Sequence, residues 1–234
     1  MACFFLFYQT KISEWRMYAQ SRRLFTMRQT LTKMLGVRGY DVPSEVTAMT
    51  PSAFDDMYME SKSGDHENDV SRLAFFVEHP VNGNKLVVLF PNDTDRSNLG
   101  IAPIRNFITI MQTHKCSHCI LVVYESLTAP AIVMLKDLET KKVFISFFAE
   151  NELMYNIYDH VRVPRHIHLT VAEKTELLKS LKATEDLLPK IQKHDPMARY
   201  LGLVVGDVVK ILRYSFTVGH DVYYRIVVDS EDFY

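Results

Sequence analysis

Between residues 190 and 214 the chain reads KIQKHDPMARYLGLVVGDVVKILRY, and nearly every residue of it has a structural task. Asp195 before Pro196 is a helix start: the carboxylate accepts from a first-turn amide, and proline takes a position whose missing N–H costs nothing. Gly202 supplies the left-handed residue that ends such a helix, which leaves room for about two turns. Gly206-Asp207 is a turn, DVVKILR a strand, TVGHD a second turn and VYYRIVV a closing strand. Strands this close in sequence pair as a hairpin. A short capped helix leading into a hairpin is the frame of a small α+β unit, and no nucleophile, metal cluster or phosphate loop stands in it.

The residues before that segment extend the same unit. HVRVPRHIHL alternates as a strand does, with Pro164 favouring an edge or a bulge. Thr170 and Glu173 form a capping box for a helix that turns Val171, Leu177, Leu178 and Leu181 inward and Lys174, Lys179 and Lys182 outward. The unit runs over residues 159–228, followed by an acidic tail at 229–234. A domain this small has a marginal core, and a partner surface would support it.

Upstream the pattern is different. Residues 12–35 read as a helix in which Leu24, Met27, Leu31, Met34 and Leu35 recur at helical spacing, with Gly36 and Gly39 as stops. Thr50-Pro51 starts another helix through Phe54 and Met57. Two apolar runs, Leu73–Glu78 and Lys85–Phe90, flank Asn82-Gly83, a hairpin signal. A helix over IAPIRNFITIMQTHK, a strand at CILVVYE, a helix opened by Pro130 and a strand at KKVFISFF follow. This order predicts a mixed α/β domain over residues 11–158, preceded by an extension at 1–10. The fold class is therefore α+β in two domains.

Composition excludes more than it selects. The formal net charge is -1, so the chain as a whole is no electrostatic nucleic-acid binder. Between Lys11 and Arg38, however, seven Lys or Arg stand against one acid, Glu14. That run is either a solvated helix face or an approach to phosphate. The three cysteines make no disulfide framework and suit a reducing compartment. The apolar opening ACFFLFY is far shorter than the ~20 residues of a bilayer span, so no membrane is expected.

Catalytic patterns are thin. HKCSHC gives Cys116 and Cys119 ligand spacing, with His114 and His118 beside them, but the second cysteine pair that a structural zinc site uses is missing. His160, His166 and His168 lie in the other domain, where the last two read as a solvated face. The alternative enzymatic reading is a stand-alone Mg-dependent nuclease, with Asp93 and Glu139 holding the metal and Lys141 beside them. No nucleophile elbow, Walker loop or GxGxxG occurs, and no cofactor is expected.

HVRVPRHIHLT, EKTELLKSL, LPKIQKHDPMARYLGLVVGDVVKILR and YYRIVV together resemble the fifth shared subunit of the eukaryotic nuclear RNA polymerases, whose archaeal counterpart consists of the C-terminal domain alone. EWRMYAQSRRLFTMRQTLTKMLGVRGYDV, TPSAFDDMY and SLTAPAIVMLKDL extend the likeness upstream. The resemblance implies a non-catalytic, nuclear subunit whose C-terminal domain docks on the largest polymerase subunit. Its N-terminal domain would form part of the lower jaw beside downstream DNA. It places Pro189, Ile191, Asp195, Pro196, Arg199, Tyr200, Gly202, Lys210 and Arg213 at the docking surface, and Arg22, Arg23, Arg28, Thr128 and Pro130 near DNA. The chain departs from the family at Val204 and Val205, where a basic pair is usual, and at Tyr214 and Phe216. These apolar residues either pack in the core or enlarge a partner patch.

Overall fold

The computed structural model describes residues 2–63, 73–90, 99–215 and 219–229. The chain divides into two compact units, Met1–Tyr155 and Asn156–Tyr234.

The first unit opens with helix α1, Ala2–Val37. No proline or glycine interrupts the sequence before Gly36. Residues 2–10 accordingly belong to the helix and are not a separate extension. Its described inner face is the predicted stripe: Leu24, Phe25, Met27, Leu31, Met34 and Leu35 are buried. The amide of Tyr40 returns to the Leu35 carbonyl, and Gly39 takes φ +85°, where a Cβ would meet His79 Nε2 at 3.2 Å. Helices α2 (Ser44–Thr47) and α3 (Pro51–Ser63) follow. Thr50 Oγ1 accepts the Ala53 amide at the start of α3, and Phe54 meets Phe25 of α1 with ring centroids 5.6 Å apart.

Strands β1 (Phe75–Glu78), β2 (Lys85–Leu89), β3 (His118–Val123) and β4 (Phe144–Ala149) form one sheet in that order. β1 and β2 are the antiparallel hairpin predicted at Asn82-Gly83, and β2, β3 and β4 are parallel. Helices α4 (Ile101–Thr113) and α5 (Ala129–Thr140) make the two crossovers. Val87, Leu89, Cys119, Leu121 and Val123 pack with Ile104, Phe107, Met111 and Ala131 of those helices. The alternate residues Leu86, Val88, Ile120 and Val122 are buried as well. Covering both faces is what makes these strands read as continuous apolar runs. The short helix α6, Glu150–Leu153, closes the unit.

The second unit has a sheet ordered β5 (Arg165–His168), β7 (Val208–Ser215), β8 (Gly219–Val228), β6 (Lys190–Gln192). The β7–β8 hairpin is the predicted one. β6 runs parallel to β8 over three residues, too short a stretch to leave a periodic trace in the sequence. Helix α7 (Val171–Leu181) has its capping box as expected: Thr170 N–H donates to Glu173 Oε2 at 2.7 Å, and Glu173 N–H to Thr170 Oγ1 at 3.3 Å.

The facing of α7 differs from the sequence pattern. Leu177 and Leu178 pack on Leu188, Val208 and Ile226, but Val171 and Leu181 stay exposed. The helix covers the cluster with one stretch only, so its ends project past it. Lys174, expected outside, is drawn in: its Nζ donates to the Gly206 carbonyl and pairs with Glu185, each at 2.8 Å. His166 is likewise buried, with Nδ1 2.7 Å from the Pro164 carbonyl, whereas His168 is exposed.

Candidate docking and jaw surfaces

Helix α8, Pro196–Leu201, together with its caps Asp195 and Gly202, carries five of the nine residues assigned to docking. Asp195 caps it, its Oδ1 accepting the Met197 amide at 2.8 Å, and Gly202 ends it at φ +70°. Met197, Ala198, Tyr200 and Leu201 are buried. Tyr200 stacks on Tyr158 with centroids 5.6 Å apart and planes 3° from parallel, and Arg165 lies over the Tyr158 ring at 5.8 Å. Tyr200 is thus a support under the surface and not a contact on it. Ile191 is buried in β6 in the same way. Pro189, Pro196, Gly202 and Arg213 are exposed, while Asp195, Arg199 and Lys210 are half-buried. Of the nine, two therefore hold the frame and seven reach solvent.

The apolar departures lie outside the core. Val204 is 47% exposed, Val205 50% and Tyr214 64%; Phe216 lies outside the described residues. Beneath the two valines, Asp207 Oδ2 accepts the Val204 amide at 2.8 Å and lies 3.4 Å from His168 Nε2. Burial works to raise the Asp207 carboxyl, but the His168 and Val204 hydrogen bonds outweigh it and hold the group below the usual carboxylate range. The turn that presents Val204 and Val205 is therefore pinned from within.

In the first unit Arg22 and Arg23 are exposed on α1, Arg23 pairing with Glu150 at 3.2 Å. Arg28 leaves that face. It is 6% exposed, Nη1 donates to the Leu73 carbonyl at 3.0 Å, and the guanidinium lies over Phe75 at 4.7 Å and Phe54 at 5.8 Å. Burial pulls its pKa from 12.5 down to about 10, and its Nε has no hydrogen-bond partner among the described residues. Counting charge along the sequence could not separate it from its neighbours; its place on the Leu24–Leu31 stripe could. Thr128 stands at the N-cap position of α5 without a side-chain cap bond, in a loop tied to Leu99, whose carbonyl accepts both the Thr128 amide at 3.1 Å and its hydroxyl at 3.3 Å. Pro130 stands exposed in the first turn.

The chemical candidates are dispersed. Cys119 is buried in the β3–α4–α5 core, which pushes its thiol well up, and His118 stacks on Phe144. Among the described residues no three His, Cys, Asp or Glu side chains gather to hold a metal ion. Asp93 lies outside the described residues. The strand before it, β2, ends at the C-terminal edge of the parallel lanes, whereas Glu139 and Lys141 precede β4 at the N-terminal edge. A strand length of about 15–20 Å separates those edges, so Glu139 and Lys141 lie far from the end of β2.

The second unit matches the model of RNA polymerase Rpb5, C-terminal domain, over residues 155–227, and the first that of RNA polymerase Rpb5, N-terminal domain, over residues 18–111. The chain is 36% identical over 211 residues to the RPABC1 subunit of DNA-directed RNA polymerases I, II, and III of Caenorhabditis briggsae, covering 89% of this chain and 97% of that one. With the same subunit of Caenorhabditis elegans the identity is 35% over the same spans. A DNA-directed RNA polymerase subunit 5-like protein 1 of Arabidopsis thaliana is 31% identical over 142 residues, 59% of this chain and 63% of its own. Fold, turn chemistry and these likenesses define a subunit of DNA-directed RNA polymerase, associated with other polymerase subunits. The chain belongs to the Rpb5 family.

Proposed function

We propose that the chain works without an active site of its own, as an assembly and jaw subunit of a nuclear RNA polymerase. Its second unit docks on the largest subunit. Its first unit contributes to the lower jaw, with Arg22, Arg23, Thr128 and Pro130 toward downstream DNA and most of the field there supplied by the rest of the enzyme. The observation that carries this reading is the apolar exposure of Val204, Val205 and Tyr214 on a turn and hairpin that are themselves rigidly held. Apolar surface that is held in place before binding lowers the ordering cost of association. Thr128 and Pro130 carry no cation, so their contact with DNA would be steric or through the backbone.

Affinity purification of the tagged chain from its own cells tests the reading, with the associated chains identified by mass. Polymerase large subunits should co-purify stoichiometrically; a chain recovered without them would refute it. On helix α8, Arg199→Glu should abolish that co-purification while the purified variant stays folded, because arginine is favoured as an interface anchor. An unchanged yield of large subunit would remove Arg199 from the surface.

A further inference from the structure

β6 covers β8 only at Ile226, Val227 and Val228. From Gly219 to Arg225, β8 is bonded to β7 on one side and borders no described strand on the other. The register shows which backbone groups face that open lane. Ile226 gives its N–H to the Pro189 carbonyl on the β6 side, and Val227 gives its own to Asp207 on the β7 side. Sides alternate along a strand, so the N–H and C=O of Tyr224, Val222 and His220 point outward.

Exposed edges of this kind are usually blunted by proline, a bulge or lysine. β8 has none of these over that stretch: its pairing with β7 runs unbroken from Val208–Ile226 to Ser215–Gly219. The guards it does have are two charges, Arg225 and Asp221, the latter's Oδ1 accepting the Val222 amide at 2.9 Å. Beside the lane, Val222 and Tyr223 are exposed. Arg225, also exposed, makes no ion pair among the described residues.

We propose that this lane receives an extended segment of another polymerase chain, added to the sheet as a strand in line with β6; the inference rests on the docking reading above. Only an extended peptide repeats donors and acceptors at the spacing these outward groups present. The segment bonds through its backbone to His220, Val222 and Tyr224, lays an apolar side chain over Val222, and sets an acidic residue beside Arg225. A second copy of this chain fits poorly. Antiparallel pairing centred on Val222 sets Gly219 of the other copy opposite Arg225, so no acidic residue stands directly across from that cation.

The test compares the purified full chain with the same chain inside purified polymerase, by amide hydrogen exchange read residue by residue. In the free chain the amides of His220 and Tyr224 should exchange quickly, and those of Tyr223 and Arg225, bonded to β7, slowly. Incorporation should slow the first pair by about 100-fold or more and leave the second pair as they were. Tyr224→Pro removes one outward donor and spares the β7 ladder; it should weaken retention of polymerase about tenfold, one backbone bond's worth. A polymerase-bound chain whose His220 and Tyr224 amides still exchange freely, or a Tyr224→Pro variant that retains polymerase fully, overturns the added strand and leaves docking standing. A chain that enters no polymerase overturns both. Protection in the purified chain alone, with doubled mass in solution, gives the lane to a second copy and also overturns the proposal.

Discussion

Replacing Arg28 by methionine should leave the stability of the first unit nearly unchanged, although it removes a hydrogen bond and a cation–π contact. The drop in the guanidinium pKa from 12.5 to about 10 corresponds to about 3 kcal/mol against the buried charged form. In the other direction, the bond from Nη1 to the Leu73 carbonyl at 3.0 Å is worth about 1.5–3 kcal/mol. The placement over Phe75 and Phe54 adds about 0.5–2 kcal/mol. The terms nearly cancel. Methionine fills much of the same space without a charge to desolvate, so Arg28→Met should lie within about 1 kcal/mol of the parent. Arg28→Ala has no such compensation; it opens a void beside two phenylalanines and should cost about 2–4 kcal/mol. Urea unfolding followed by far-ultraviolet circular dichroism separates the two. If methionine proves as damaging as alanine, the buried ion contributes net stability and the cancellation is wrong. If methionine instead weakens DNA engagement of the assembled enzyme at unchanged stability, Arg28 acts at the surface after all.

Asp195→Ala should destabilise the second unit by about 1 kcal/mol while Asp195→Asn keeps most of the cap, as denaturant midpoints will show. Val204→Asp combined with Val205→Asp should change the stability of the free chain by no more than about 0.5 kcal/mol, since both side chains are exposed; co-purification of large subunits should be lost all the same. Asp207 titrates below its ordinary range, so its contribution is present at neutral pH and disappears as acid protonates it in the folded state. Stability measured from about pH 5 down to about pH 2 should fall less steeply in Asp207→Asn than in the parent.

Local chemistry accounts for what was legible in the sequence. Caps and stops are short-range devices, so Thr170, Asp195, Gly202 and the Asn82-Gly83 hairpin could be read directly. The buried parallel strands were visible because both of their faces are covered. Burial set by contacts distant in sequence was not. Arg28 looked like its exposed neighbours until Phe54 and Phe75 came to lie on it, and Tyr200 looked like an anchor until Tyr158 stacked beneath it. Lys174 turned inward because a carbonyl and a carboxylate from other segments meet it there. For Val204, Val205 and Tyr214 composition left core and surface equally open, and only the packing of the finished domain placed them outside. The nuclease reading rested in part on Asp93, which lies outside the described residues, and no group of three metal-holding side chains gathers among those described.

The inward lysine also has a chemical consequence. The protons of the Lys174 ammonium are held by Gly206 and Glu185, whereas Lys179 and Lys182 of the same helical stretch stand in water. Acylating reagents and acetyltransferases need an amine they can reach, so they will mark the outer two long before the inner one. Acetylation of Lys174, where it is found, would report that the turn carrying Gly206 had already come away.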